Sequence, residues 1–181
     1  DPVEAAAVRR RHAHHFCEWL TSHDGELLDG PSDALLANVL ADEANLVAAT
    51  AASIEAGELS EAAHALAAMG PIIMLDGLAT ASSTIHDQLD RLIGSVDPSD
   101  EWRLHFLRAD LLNRQGDLTG HFQTFAEMER SARLAGSDIG VAVARLRVLG
   151  LLSITGAAVL DEMYELVRVL DGHDQRWADA A

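Results

Sequence analysis

Imidazole and thiol side chains crowd the start of this chain. His12, His14, His15 and Cys17 follow the triplet Arg9-Arg10-Arg11, and His23 lies just beyond. Imidazole nitrogen and thiolate sulfur are both good zinc ligands. On a helix, two ligands share a face when they stand three or four residues apart. His12 with His15, and His14 with Cys17, meet that condition, but the two pairs point to different faces. The chain has no second cysteine to complete either set. The cluster therefore reads as packed or surface histidines, and no metal is expected. Glu61-Ala62-Ala63-His64 matches the Glu-x-x-His element of di-iron helical bundles. Such sites need a second copy and two further glutamates on facing helices, and no second copy exists here. A first helical turn would favour Glu61 through the helix dipole in any case. There is no serine nucleophile elbow, His-Glu-x-x-His motif, glycine-rich phosphate loop or calcium loop. No catalytic constellation emerges. The expectation is a protein that is not an enzyme and carries no cofactor.

The remaining chemistry suits recognition. Trp102, Arg103, His105, Arg108, His121 and Gln123 are polar and aromatic residues around the middle of the chain. Trp and Arg are common interface anchors, so these six form a candidate groove for a partner. Trp102 equally suits a filler between helical hairpins.

Composition narrows the partner. All 13 basic residues are arginine, against 29 acids, for a net charge of −16. The lack of lysine excludes Schiff-base chemistry and a P-loop lysine within these residues. A strongly acidic chain is unsuited to a nucleic-acid backbone. Aromatics are 4%, too few for a base-stacking platform. Hydrophobic residues make up 49%, enough for a sizeable core. No apolar run of transmembrane length occurs, and Arg145 and Arg147 interrupt the most apolar stretch, Val141 to Ile154. The lone Cys17 fits a reducing cytoplasm. The first residue is Asp1 rather than Met, as expected of a piece of a longer protein.

The elements that must position these residues are helices. Strand signals are nearly absent, and Ala, Leu, Glu and Arg dominate between the breakers. Asp1 and Pro2 start a helix to about Leu20, with Val8, His12, Phe16, Trp19 and Leu20 as its apolar stripe. Thr21 to Pro31 reads as a loop, tucked onto the core by Leu27 and Leu28. Ser32 or Asp33 caps a second helix to Ala56, whose apolar face holds Leu36, Val39, Leu40, Leu46, Val47, Thr50 and Ile54. A helix from Leu59 to Asp76 must kink or break at Gly70-Pro71. Further helices are expected over Leu78–Ile93, Pro98–Gln115, Asp117–Leu134, Ile139–Thr155 and Ala157–Leu170, with Asp97 as the cap at Pro98.

The turn glycines repeat. Gly77 to Gly116 is 39 residues and Gly116 to Gly156 is 40, each lying between two helices. A fixed helix, glycine, helix spacing marks an α-solenoid, because one hairpin cannot bury its apolar face alone. Ile139–Ile154 is apolar on two sides, as a sandwiched helix should be. Val159, Leu160, Met163, Tyr164, Leu166, Val167 and Leu170 make the stripe of its partner. The expected fold is all-α: an α-solenoid of tetratricopeptide-like antiparallel hairpins. Residues 1–31 form an N-terminal helix and linker, and residues 32–181 form one continuous repeat domain.

Three segments then add a resemblance. Arg11-His12-Ala13-His14-His15-Phe16 resembles the Arg-His-x-x-x-Phe opening found in large bacterial STAND-type regulators. Leu27-Leu28-Asp29-Gly30-Pro31 resembles their leucine–glycine–proline linker. Asp42-Glu43-Ala44-Asn45-Leu46-Val47-Ala48-Ala49 resembles their Glu-x-x-Asn-Leu-x-Ala-Ala signature, with Asp42 in place of Glu and Val47 where Arg is usual. Together they look like the start of the tetratricopeptide-like region of SARP-type and LuxR-type transcriptional regulators. The resemblance implies a non-catalytic sensor or interaction arm in the cytoplasm. Its partner would be a protein or other domains of the same chain. A small-molecule inducer and a free-standing scaffold are the alternatives. Direct binding to nucleic acid or membrane is not expected.

Overall fold

A computed structural model describes residues 1–74, 82–154 and 159–173. Among these residues every regular element is a helix. Helix α1 spans Pro2–Ser22, α2 Asp24–Asp29, α3 Asp33–Ala56, α4 Leu59–Ala68 and α5 Gly70–Met74. Then come α6 Ser82–Leu92, α7 Pro98–Arg114, α8 Leu118–Ala135, α9 Asp138–Ile154 and α10 Leu160–His173.

Local signals set most boundaries. Asp1 accepts a hydrogen bond from the Val3 N–H at 2.9 Å and caps α1, with Pro2 in the first turn. Ser32 accepts from the Leu35 N–H at 3.3 Å and caps α3. Asp117 caps α8 through the Gly120 N–H at 2.9 Å. Asp97 occupies the cap of α7, but its backbone carbonyl, not its carboxylate, receives the Asp100 and Glu101 N–H groups. The expected break falls between Ala68 and Gly70, separating α4 from α5. Gly116, at φ +78°, turns α7 into α8. The expected turns at Gly77 and Gly156 lie outside the described residues.

Two expectations are corrected. Residues 21–31 are not simply a loop: Asp24–Asp29 form a helical turn and a half, with Asp24 and Glu26 favourably placed at its positive end. Leu27 anchors it at 1% exposure; nothing is described of the Leu28 side chain. Leu40 is not in the core but 44% exposed, at the edge of the apolar face of α3. Helical spacing brings it near the stripe, but no helix among the described residues covers that edge.

Helix α7 organises the packing. Its sequence carries two apolar rows. Leu104, Leu107 and Leu111 join a core built with α1, α3, α4 and α6. Trp102, Phe106 and Ala109 join a second core with Phe125, Met128 and Ala132 of α8 and Val143 and Leu146 of α9. No residue from Asp100 to Leu112 is fully exposed. Polar groups extend the same role. Asp100 meets His64 of α4 at 2.9 Å and accepts from Ser60 at 3.1 Å. Glu101 accepts from Ser131 of α8 at 2.6 Å, Arg103 forks onto Asp24 of α2 at 2.6 and 2.8 Å, and Arg108 meets Asp90 of α6 at 2.9 Å. A separate buried latch ties α6 to α3: Gln88 donates to the Val47 carbonyl at 2.9 Å and accepts from Thr50 at 2.7 Å.

Beyond α7, helices pack in chain order, α8 on α7, α9 on α8 and α10 on α9. The approach of α9 is set by one glycine. A Cβ on Gly140 would lie 2.8 Å from Ala132 Cβ and 2.9 Å from Trp102 Cδ2. Gly150 of the same helix has open space.

These two glycines should therefore respond oppositely in urea unfolding. Gly140→Ala is expected to lose about 1–3 kcal/mol by overpacking. Gly150→Ala is expected to gain up to about 1 kcal/mol from helix propensity. At the Gly116 turn, Gly116→Val forces a β-branched residue into the left-handed region at a cost of roughly 1–3 kcal/mol. An unchanged melting temperature would disprove that turn.

Candidate functional site

The six candidate groove residues lie around α7 and α8, and the structure does not gather them into one groove. Trp102 is 7% exposed and fills the second core. His105 is 3% exposed, with Nδ1 3.6 Å from Glu127 of α8, and burial pushes its pKa down, towards the neutral form. His121 is buried too; its Nδ1 pairs with the Ala109 carbonyl at 2.7 Å and its ring sits edge-on to Phe125 at 4.8 Å. Arg103 and Arg108 pair with acids on different helices. Gln123 is exposed on α8. Three of the six serve packing, and two arginines fasten α7 to its neighbours.

The histidine-rich helix builds a different site. Helix α1 presents Arg10, Ala13, His14 and Cys17 at positions i, i+3, i+4 and i+7, so all four face one way. They meet Ala52, Ser53 and Ala56 at the end of α3, and Glu58 and Glu61 at the start of α4. The Gly57 turn, at φ +82°, brings these two ends together. All of these residues except Cys17 line a cleft of about 390 Å³; Cys17 lies buried beside it.

Its polar groups form a chain. His14 Nδ1 lies 2.5 Å from Glu61 Oε1. Ser53 donates to the other oxygen of Glu61 at 3.3 Å. Cys17 Sγ is 3.6 Å from Ser53 Oγ. Arg10 pairs with Glu58 at the rim. The hydrogen bond that His14 donates to Glu61, and then the Glu61 charge, raise the His14 pKa above the ordinary 6.5. Burial raises that of the Cys17 thiol. The arrangement lacks the connectivity of nucleophilic catalysis, where the base must hydrogen-bond the nucleophile. His14 Nδ1 is engaged by Glu61, and Nε2 faces Glu18 at 3.8 Å. Neither nitrogen reaches Ser53 or Cys17, and the buried thiol resists ionisation. The cleft can instead hold a small polar group by hydrogen bonds and charge.

The metal-like spacings separate in space. His12 and His15 stack on Phe16 at 4.7 and 5.2 Å. Glu61 turns to His14, whereas His64 turns to Asp100. Among the described residues, no group of three or more His, Cys, Asp and Glu side chains is placed to hold a metal ion. No helix among them is long and apolar enough to cross a membrane. The α1 spacing was a readable signal for this cleft. Ser53 and Glu58 gave none, because only the α3–α4 turn delivers them.

A second feature is apolar and exposed. Helix α10 turns Met163, Leu166 and Leu170 inward. It leaves Leu160, Tyr164 and Val167, at i, i+4 and i+7, exposed at 63%, 67% and 38%. The stripe expected over α10 thus divides into a covered row and an open row. Compared with known proteins, the chain matches no family model, no curated protein and no solved structure.

The His14–Glu61 pair makes stability depend on pH. A pKa raised by folding contributes stability that is complete below about 6.5 and is lost as pH rises through the folded value. The His14–Glu61 contribution should therefore shrink between pH 6 and pH 8, while His86 and His105, whose pKa values burial lowers, act in the opposite direction; Glu61→Gln should remove the His14 share of the slope. An NMR titration of the His14 ring in both proteins checks it. Equal His14 midpoints would refute the coupling.

Proposed function

We propose that this chain is a non-catalytic interaction module, a stack of tetratricopeptide-like antiparallel helix hairpins within a bacterial transcriptional regulator of the STAND type. It would act in the cytoplasm and receive a protein partner or another part of the same regulator. The observation that carries this reading is the open row on α10. Helices α7 to α10 pack each on its predecessor, and α10 ends the described series with Leu160, Tyr164 and Val167 uncovered. Adding a helix to such a row is how helical repeats extend and how they take partners. The 39–40-residue glycine spacing supports the hairpin repeat.

The residues behind the family resemblance support the same reading by what they do. Phe16 is partly buried against the first core, Leu27 is buried, and Leu46 is fully buried in α3. Gly30, at φ +106°, precedes Pro31 and lets the chain leave α2 for α3. Asn45 donates to Asp42 at 2.9 Å on the outer side. Phe16, Leu27 and Leu46 thus bring α1, α2 and α3 to one core, as expected of the segment that begins a repeat array.

A small-molecule sensor is the second reading, favoured by the α1–α3–α4 cleft with its charged and hydroxyl lining. A sensor needs a ligand to enter that cleft, whereas the interaction module does not.

Two measurements test the main reading. The reading frame around this segment should encode a phosphate-binding loop upstream and a helix-turn-helix module at one end. Absence of both would overturn the regulator assignment. In the full-length protein, Tyr164→Asp should change reporter transcription several-fold without altering the melting of this region, since the side chain is largely exposed. An unchanged output would remove the α10 row from the mechanism.

A further inference from the structure

The outer side of α1 exposes Arg9 and Arg11 on a chain of net charge −16. Every side chain described from Val3 to His12 is exposed, although Arg10 turns to the cleft, where it pairs with Glu58. Further along, the exposed side becomes a row of rings. His12 and His15 flank Phe16 at 4.7 and 5.2 Å, and Trp19 lies over His23 at 4.6 Å. Phe16 and Trp19 are only partly buried. Val8, His12, Phe16 and Trp19 thus form a line of large knobs, with Arg9 and Arg11 on its two sides.

The opposite shape lies on α3. Away from its core, α3 and Thr84 of α6 border an open apolar groove of about 520 Å³. Leu40, Ala44, Val47, Ala48 and Ala51 line it, and Glu43 stands at its rim. Helix α3 carries Asp33, Asp42, Glu43 and Glu55 and no basic residue.

We propose that this groove receives the outer face of α1 from a second copy of the chain, reciprocally, in a two-fold dimer. Three features argue for that occupant. Val8 to Trp19 and Leu40 to Ala51 are equal lengths of helix, roughly 16 Å each. Large rings on one face meet small side chains on the other, as knobs meet holes. Charge decides the pairing. Two copies of net charge −16 repel each other, and Arg9-Arg10-Arg11 is the chain's one run of three basic residues. A contact that sets Arg9 and Arg11 against Glu43 at the groove opposes that repulsion. In a two-fold arrangement each copy gives one α1 and one groove, so the contact forms twice. The inference uses neither the α10 row nor the regulator assignment.

Sedimentation equilibrium of the whole chain at low and high salt tests it. The chain should be a dimer that weakens as salt screens the Arg–acid contacts. Ala48→Glu, an exposed change in the groove, should give monomer with unchanged circular dichroism. Arg9→Glu with Arg11→Glu, and separately Glu43→Arg, should each weaken self-association about tenfold or more. Mixing these two charge-reversed proteins should restore a dimer, because each α1 then meets an opposite groove. A chain that stays monomeric at its highest soluble concentration overturns the proposal. So does a dimer that survives both Ala48→Glu and the charge reversals. If Tyr164→Asp dissolves that dimer instead, the contact lies on the α10 row, which leaves the interaction-module reading standing.

Discussion

Helix α7 must be covered on two sides, and the rest of the structure is arranged around that need. Its rows Leu104, Leu107, Leu111 and Trp102, Phe106, Ala109 point in different directions. One flank is closed by α4, α5 and α6, and the other by α8 and α9. Burying large aliphatic and aromatic side chains contributes roughly 1.5–3 kcal/mol each, more than any single surface ion pair here. The two cores are therefore not independent. A change at Trp102 touches α9 through Gly140, and a change at Leu107 reaches the core of α1 and α3.

Charge refines this packing without replacing it. Asp100, Glu101, Arg103 and Arg108 each tie α7 to a different neighbour, and several of these bonds are partly buried. Partial burial strengthens a charge pair but makes an unmatched group costly. Asp110 illustrates the cost. It is 8% exposed, its Oδ2 has no hydrogen-bond partner among the described residues, and burial pushes its carboxyl pKa upward. The paired charges thus specify which helices meet, while the apolar rows supply most of the binding between them.

The same division separates the molecule's surfaces. The α1–α3–α4 cleft is polar, and its histidine is held by a glutamate rather than aimed at a nucleophile. The α10 row and the α3 groove are apolar and open. Apolar area left in water is most naturally explained by something that covers it.

Much of this was legible in the residues. Helix caps at Asp1, Ser32 and Asp117, the break before Pro71 and the turn at Gly116 all follow from local chemistry, as does the all-helical class. These features involve residues within a few positions of one another, so a linear reading captures them. The site was legible only in part. The i, i+4, i+7 spacing put Arg10, His14 and Cys17 on one face of α1. That Glu61, 47 residues away, would engage His14 was decided by the α3–α4 turn. Trp102 became core rather than groove because α9 closes over it at Gly140. Leu40, Leu160 and Tyr164 have the same apolar character as their buried neighbours. Which row is covered depends on where another helix lies, and that position follows from the summed packing of distant segments rather than from any local pattern.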